Sequence, residues 1–127
     1  MVLGTGVDLV EIARIERATA GVRGERFRER VFTPRERRYC EGRGRGREES
    51  YAARFAAKEA VMKALGVGWG QGAGWLDIEV VRDPDGPPRL ELTGRALGTA
   101  RVRGVRRWSL SLSHAAGTAI AFVVAED

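Results

Sequence analysis

The chain has 127 residues, a formal net charge of +5 and a pI near 10.3, enough length for one domain with a core of its own. Its hydrophobic fraction of 43% is that of a globular protein, and no run approaches the roughly 18 apolar residues of a membrane span. The one cysteine, Cys40, excludes an intrachain disulfide and a cysteine-based metal cluster. The N-terminus enters strand-like sequence directly, so a cytoplasmic protein without a secretory leader is expected. The positive balance favours an acidic partner or substrate.

Val2 to Val7, β-branched residues around small glycines, reads as a short strand that Asp8 ends. Leu9 to Ala20 then reads as a helix with Leu9, Ile12 and Ile15 near one face. Asp8 suits the cap of that helix, with Glu11 in capping-box position. Its place at a strand-to-helix corner is also one from which a side chain can point into a site. Glu25 to Arg30 has the composition of a short helix. Thr33-Pro34-Arg35-Glu36 is a helix start: a capping hydroxyl, proline in the first turn and glutamate at the third position. Gly42 to Gly46, glycine alternating with arginine, reads as a solvated, mobile loop. Its other reading, an RNA contact, lacks interleaved aromatics.

From about Glu48 to Leu65 runs the longest helical pattern, closed by Gly66. Glu59 and Lys63, four apart, project from one face. A carboxylate and an ammonium in that register suit a metal-bound phosphate, the first taking the ion and the second the phosphate. They equally suit an ordinary ion pair on a solvated helix. Gly66 to Gly74 has glycine at every second position but no Gly-Lys-Ser/Thr, so it is not a Walker loop. Trp75 to Val81 and Arg89 to Leu92 read as strands around the turn Asp83 to Pro88. Thr93 is placed to cap a helix reaching about Arg103. Trp108 to Ser113 alternates, with Ser109, Ser111 and Ser113 on one side and Leu110 and Leu112 on the other, a half-buried strand. His114 to Thr118 reads as a turn into a last strand, Ala119 to Val124. Strands and helices mix without a βαβ rhythm. The expectation is one α+β domain over residues 1–127, a mainly antiparallel sheet packed on one long central helix with shorter helices around it.

Three separated places carry polar groups at element ends: Asp8, the Glu59/Lys63 helix, and Ser113-His114. Two carboxylates make a candidate Mg²⁺ site, because that ion takes hard oxygens and keeps positions open for phosphate and water. His114 ends a serine-faced strand and can donate to phosphate oxygens.

These residues carry a resemblance. Gly4-Thr5-Gly6-Val7-Asp8-Leu9-Val10 followed by Arg14-Ile15, Arg54-Phe55-Ala56-Ala57-Lys58-Glu59-Ala60 with Lys63-Ala64-Leu65-Gly66, Asp77-Ile78-Glu79-Val80, and Ser111-Leu112-Ser113-His114 resemble, in order and over the whole chain, the holo-[acyl-carrier-protein] synthases. These are the short, stand-alone 4′-phosphopantetheinyl transferases. The resemblance implies transfer of the 4′-phosphopantetheine arm from coenzyme A to a serine of apo acyl carrier protein, with release of adenosine 3′,5′-bisphosphate. It implies Mg²⁺ as cofactor, a homotrimer with active sites between subunits, and a cytoplasmic role in fatty acid synthesis, with polyketide carriers as a second class of substrate. It puts Asp8 and Glu59 on the metal and Lys63 on the pyrophosphate or transferred phosphoryl group, and His114 with Ser113 beside the coenzyme A phosphates. Arg54 falls at the nucleotide end, and Gly66 and Pro88 belong to the coenzyme A site. Arg14, its neighbour Arg17 and the apolar Phe55 face the acidic carrier, with Arg26, Arg28 and Arg30 as looser candidates. The serine proton goes either to a carboxylate such as Glu59 or to metal-bound water. The chain departs from the pattern at Gly86-Pro87-Pro88, where relatives often carry Gly-Lys-Pro; Arg89 is the nearest substitute for that lysine. The rival reading is a basic nucleic-acid-binding module without catalysis. It accounts for the charge and the Gly/Arg run but not for Glu59, Lys63, Ser113 or His114, and the chain has no stacking platform or recognition helix.

Overall fold

The computed structural model describes residues 1–127. Along the chain come β1 (Val2–Glu11), α1 (Ile12–Thr19), α2 (Gly21–Val31), α3 (Pro34–Glu41), α4 (Arg47–Leu65), β2 (Ile78–Arg82), β3 (Pro88–Leu92), α5 (Gly94–Val102), β4 (Arg107–Ala115) and β5 (Thr118–Glu126), with 3₁₀ turns at Gly44–Gly46 and Trp75–Asp77. Two antiparallel sheets form, one in the order β1-β5-β4 and a second pairing β2 with β3. The α+β expectation holds, with the sheet divided in two.

Helix α4 is the axis of the molecule. Tyr51, Ala52, Arg54, Phe55, Ala56, Ala57, Lys58, Ala60, Val61, Met62 and Leu65 are all buried, so the helix is enclosed on most of its circumference. Its alanines let the sheet come close. The inward residues of β5, Ala119, Ala121, Val123 and Ala125, are small and fully buried. On β1 the approach is tighter still. A Cβ on Gly6 would collide with the Ala60 carbonyl, and one on Gly4 with that of Ala64. Glycine is required at both positions because backbone packs on backbone. Gly66 ends the helix at φ 70°, a left-handed cap, as its position in the sequence implied.

Beneath α4 lies a buried ion pair. Lys58 and Glu36 are both solvent-inaccessible, with Nζ 2.7 Å from Oε1. Lys58 also donates to the carbonyls of Trp75 (2.9 Å) and Ile78, while Glu36 accepts from the backbone N–H groups of Thr33 and Val80, both at 2.9 Å. The capping box read at Thr33 and Glu36 is present, and its glutamate doubles as the counter-ion of Lys58. One pair thereby ties α3, α4 and β2 together. Burial pushes the Lys58 ammonium below its ordinary value, against the pull of Glu36.

Several boundaries differ from the sequence reading. The first strand runs through Asp8 to Glu11, so Asp8 pairs opposite Ala121 instead of capping a helix, and Leu9 lies on the strand. Helix α1 starts at Ile12 behind Glu11, which makes no side-chain cap. The valine-rich run keeps its partner β5 for three residues past Asp8, and that pairing overrides the local cap signal. Helix α2 is longer than Glu25–Arg30. Trp75–Asp77 is a turn, because the Asp77 carboxylate accepts from the N–H groups of Gly74 (3.1 Å) and Ala96 (3.3 Å). That second bond does the capping of α5 expected of Thr93, whose side chain makes no such bond. His114 belongs to β4, and the turn is only Ala116-Gly117, both at positive φ.

Candidate active site

Residues of β1 alternate between faces, so Gly4, Gly6, Asp8 and Val10 all point toward α4. The two glycines draw the helix down, and Asp8 emerges next to it. Lys63, on the last turns of α4, donates from Nζ to the Val7 carbonyl at 2.9 Å and to Asp8 Oδ1 at 3.1 Å. The ammonium expected to serve phosphate thus sits on one of the expected metal ligands.

Glu59 completes the group. Its carboxyl is held above the ordinary carboxylate value, first by burial and next by the negative charge of Asp8; Lys63 and Arg14 pull the other way. Four of the residues singled out in the sequence, Asp8, Glu59, Lys63 and Arg14, therefore act on one another in one place. Two hard-oxygen carboxylates side by side are a fit for Mg²⁺, which uses one or two protein carboxylates and fills its remaining positions with water and phosphate oxygens. No group of three or more His, Cys, Asp or Glu side chains converges anywhere in the chain, so a closed, all-protein metal cage is not on offer.

The second constellation is a cavity of about 250 Å³ beside the N-terminal half of α4. Arg54, Ser113 and His114 line it, as do Arg43, Arg82, Tyr39, Ser50 and Glu49, none of which the sequence reading assigned. Arg54 is 3% exposed, its guanidinium lies 4.1 Å from the Tyr39 ring centroid, and its Nε–H has no partner. A buried, stacked and incompletely bonded guanidinium at a cavity wall is a prepared anion contact. His114 Nε2 lies 3.4 Å from the Glu49 carboxylate at the cavity rim. The Gly/Arg run is not a free loop. It folds as a 3₁₀ turn leading into α4, and Arg43 and Gly46 join the cavity wall. The signal that betrays it is position: glycine and arginine just before the N-terminus of a long helix, where the backbone dipole also favours an anion.

Gly66 and Pro88 do not line this cavity. Gly66 is at the far end of α4, roughly 18 Å along the axis from Arg54 at 1.5 Å per residue. Pro88 opens β3 opposite Arg82, so only its neighbour across the ladder reaches the cavity. Phe55, expected at the surface, is 7% exposed beneath Arg14 and Trp75.

The two constellations face away from each other. At about 100° per residue, Ser50 and Glu59 are on opposite sides of α4. The cavity takes Leu112, Ser113 and His114 from β4, one edge of the three-stranded sheet, and Asp8 is on β1, the other edge.

Comparison with known proteins gives the family. Residues 4–123 match the family model described as the 4'-phosphopantetheinyl transferase superfamily. The chain belongs to that superfamily. A holo-[acyl-carrier-protein] synthase of Anaeromyxobacter sp. (strain K) is 52% identical over 99% of this chain and 97% of its own length. One from Koribacter versatilis is 46% identical over the full length of both. The crystal structure of the holo-[acyl-carrier-protein] synthase from Neisseria meningitidis superposes with a TM-score of 0.88 at 35% identity, covering both chains fully. The Helicobacter pylori enzyme, solved in complex with coenzyme A, superposes at 0.82 with 36% identity, covering 96% of this chain and 99% of that one.

Proposed function

We propose that this transferase moves the 4′-phosphopantetheine arm of coenzyme A onto a serine of apo acyl carrier protein and releases adenosine 3′,5′-bisphosphate. The observation that carries the reading is the pairing, around one helix, of a two-carboxylate and lysine cluster with a buried-arginine anion cavity. In the reaction the serine Oγ bonds to the pantetheine-side phosphorus, and the bond from that phosphorus to the bridging oxygen breaks. The bridging oxygen leaves with the adenosine bisphosphate, and the serine gives up its proton. Such a transfer asks the protein mainly for positioning and charge neutralisation.

Arg54, Arg43 and Arg82, with Ser113 and His114, hold the nucleotide end and its phosphates in the cavity. Asp8 and Glu59 are the residues that would hold Mg²⁺, whose chemistry when bound is to neutralise charge on the pyrophosphate oxygens. Lys63 adds a mobile positive charge beside them. Glu59, with its raised affinity for a proton, suits the role of acceptor for the serine proton. Arg14 and Arg17 make no ion pair with any carboxylate of the chain and are free to meet an acidic carrier; Phe55 supports Arg14 from below. Rim charges of this kind steer association and make it salt-sensitive.

A homotrimer with shared active sites is part of the same reading. The cavity and the carboxylates point to opposite sides of α4, so one coenzyme A joins them most simply across two copies. The outer face of the three-stranded sheet supports this. Val7, Leu9 and Phe122 are 47%, 64% and 45% exposed there, with Val7 directly opposite Phe122. An uncovered apolar face of that kind marks an interface. No helix is long and apolar enough to cross a membrane. A cytoplasmic setting in fatty acid synthesis suits a lone free cysteine and an acyl-carrier substrate. The test is release of adenosine 3′,5′-bisphosphate from coenzyme A, followed by chromatography. The reading requires release only when apo acyl carrier protein and a divalent cation are both present; release without carrier, or none at all, contradicts it.

A further inference from the structure

An aromatic row runs from the core to the surface on the Glu59 side of α4. Ring centroids are 6.3 Å apart for Phe27 and Phe55, 5.2 Å for Phe55 and Trp75, whose planes lie within 23°, and 6.5 Å for Trp75 and Trp69. The row ends in the open: Trp69 is 59% exposed, and Leu76, just beyond Trp75, is 46% exposed. An exposed tryptophan loses favourable burial, so its presence on a glycine-rich segment asks for a use.

The segment holds Trp69 in place. Trp69 bridges to Ala73, the Gly70 N–H donates to the Ala73 carbonyl at 2.9 Å, and that of Gln71 to the Gly68 carbonyl at 3.0 Å. Arg95 donates to the Gly70 carbonyl at 3.3 Å. Two rings in from Trp69, the Arg14 guanidinium lies 5.7 Å from the Phe55 ring centroid. Neither Arg14 nor Arg95 is in an ion pair. The result is a half-exposed indole on a hydrogen-bonded segment, with Arg95 bonded to that segment and Arg14 two rings away along the row. An aromatic anchor within a basic rim is the make-up of an interface hot spot for an acidic amphipathic helix.

We propose that Trp69 is the apolar anchor for the acidic carrier protein, with Leu76 beside it and Arg14 and Arg95 as its charged flanks. This rests on the carrier being the substrate, as proposed above. The buried Phe55 does not reach the partner; it and Trp75 fix the positions of Arg14 and Trp69. The cavity for the nucleotide end lies on the opposite face of α4, and KM for coenzyme A distinguishes a carrier anchor from a contact to the pantetheine arm.

The test uses the whole chain and an apo acyl carrier protein of fatty acid synthesis. Trp69→Ala is expected to raise KM for the carrier roughly 10- to 30-fold, the size of an interface hot spot. KM for coenzyme A, the melting temperature and the sedimentation coefficient stay unchanged. Trp69→Phe keeps most of the carrier affinity. Calorimetric binding of the carrier without coenzyme A separates docking from chemistry. If wild type binds the carrier and Trp69→Ala does not, the anchor stands even where no transfer is seen. An unchanged carrier affinity overturns the proposal. An equal rise in KM for coenzyme A overturns it in favour of a contact to the pantetheine arm, and an altered sedimentation coefficient overturns it in favour of a contact between subunits.

Discussion

Lys63 and Asp8 meet at 3.1 Å, Nζ to Oδ1, across a gap of 55 residues in sequence. The contact is possible only because glycine at positions 4 and 6 lets α4 pack against the backbone of β1. It joins a cation to one of two carboxylates proposed for a divalent ion, so the ammonium and the ion compete for the same oxygen. Lys63→Gln is expected to raise the affinity of the free protein for Mn²⁺, read by its paramagnetic signal, several-fold. The same change lowers kcat by about 10²- to 10³-fold, the usual effect of removing one group that stabilises transition-state charge. Weaker Mn²⁺ binding in the variant would mean that Lys63 organises the carboxylates instead of competing for them.

Glu59 gives a pH prediction. Its carboxyl is raised above the ordinary value by burial and by Asp8, so the folded state favours the protonated form. The associated stability is fully present below the ordinary carboxylate value and is lost as pH rises through the higher folded-state value. Glu59→Gln removes that dependence. In metal-free buffer the variant should be more stable than wild type at pH 7, by roughly 1 kcal/mol, the size usual for relieving a strained functional group, and the two should converge in acid. Thermal melts from acid to neutral pH check this. A constant offset across the range would contradict it.

The Lys58–Glu36 pair is a matter of stability. Lys58→Met strands a buried carboxylate and should cost about 3–5 kcal/mol. Adding Glu36→Gln removes the orphaned charge, and an amide oxygen still accepts one of the two backbone N–H groups. The double variant should therefore be more stable than the sum of the single effects by more than about 1 kcal/mol in denaturant titrations. Additive losses would show that the two residues act independently.

Shared sites between subunits predict complementation. Asp8→Ala destroys the carboxylate half and Arg54→Ala the cavity half. Each variant alone should be inactive or nearly so. Unfolded together and reassembled at 1:1, random assembly restores about one quarter of the sites. No recovery beyond the sum of the separate variants would assign both halves to one chain.

The sequence made the chemistry more legible than the geometry. Asp8, Glu59, Lys63 and Arg14 were readable as a group because their surroundings resemble a family, and the fold brings them together. Spacing alone read Asp8 as a helix cap, since nothing local reveals that β5, more than 100 residues away, extends the strand past it. Thr33 and Glu36 were legible as a cap because that motif is local. The second role of Glu36, as counter-ion to Lys58, depends on a partner 22 residues away and was not. Arg43, Arg82 and Tyr39 were missed because they reach the cavity from three places separate in sequence, the turn before α4, β2 and α3, and none of the three carries a local signal. Phe55 was read as a surface contact from its motif, and Trp75, on a turn that resembled a strand, covers it.

The most direct measurement is the intact mass of an apo acyl carrier protein after incubation with this protein, coenzyme A and Mg²⁺, alongside an Asp8→Ala control. The account predicts a gain of one phosphopantetheine with wild type and none with the control. An unmodified carrier in the wild-type reaction, or equal gain in both, would contradict it: the first removes the activity, the second the carboxylate cluster from its centre.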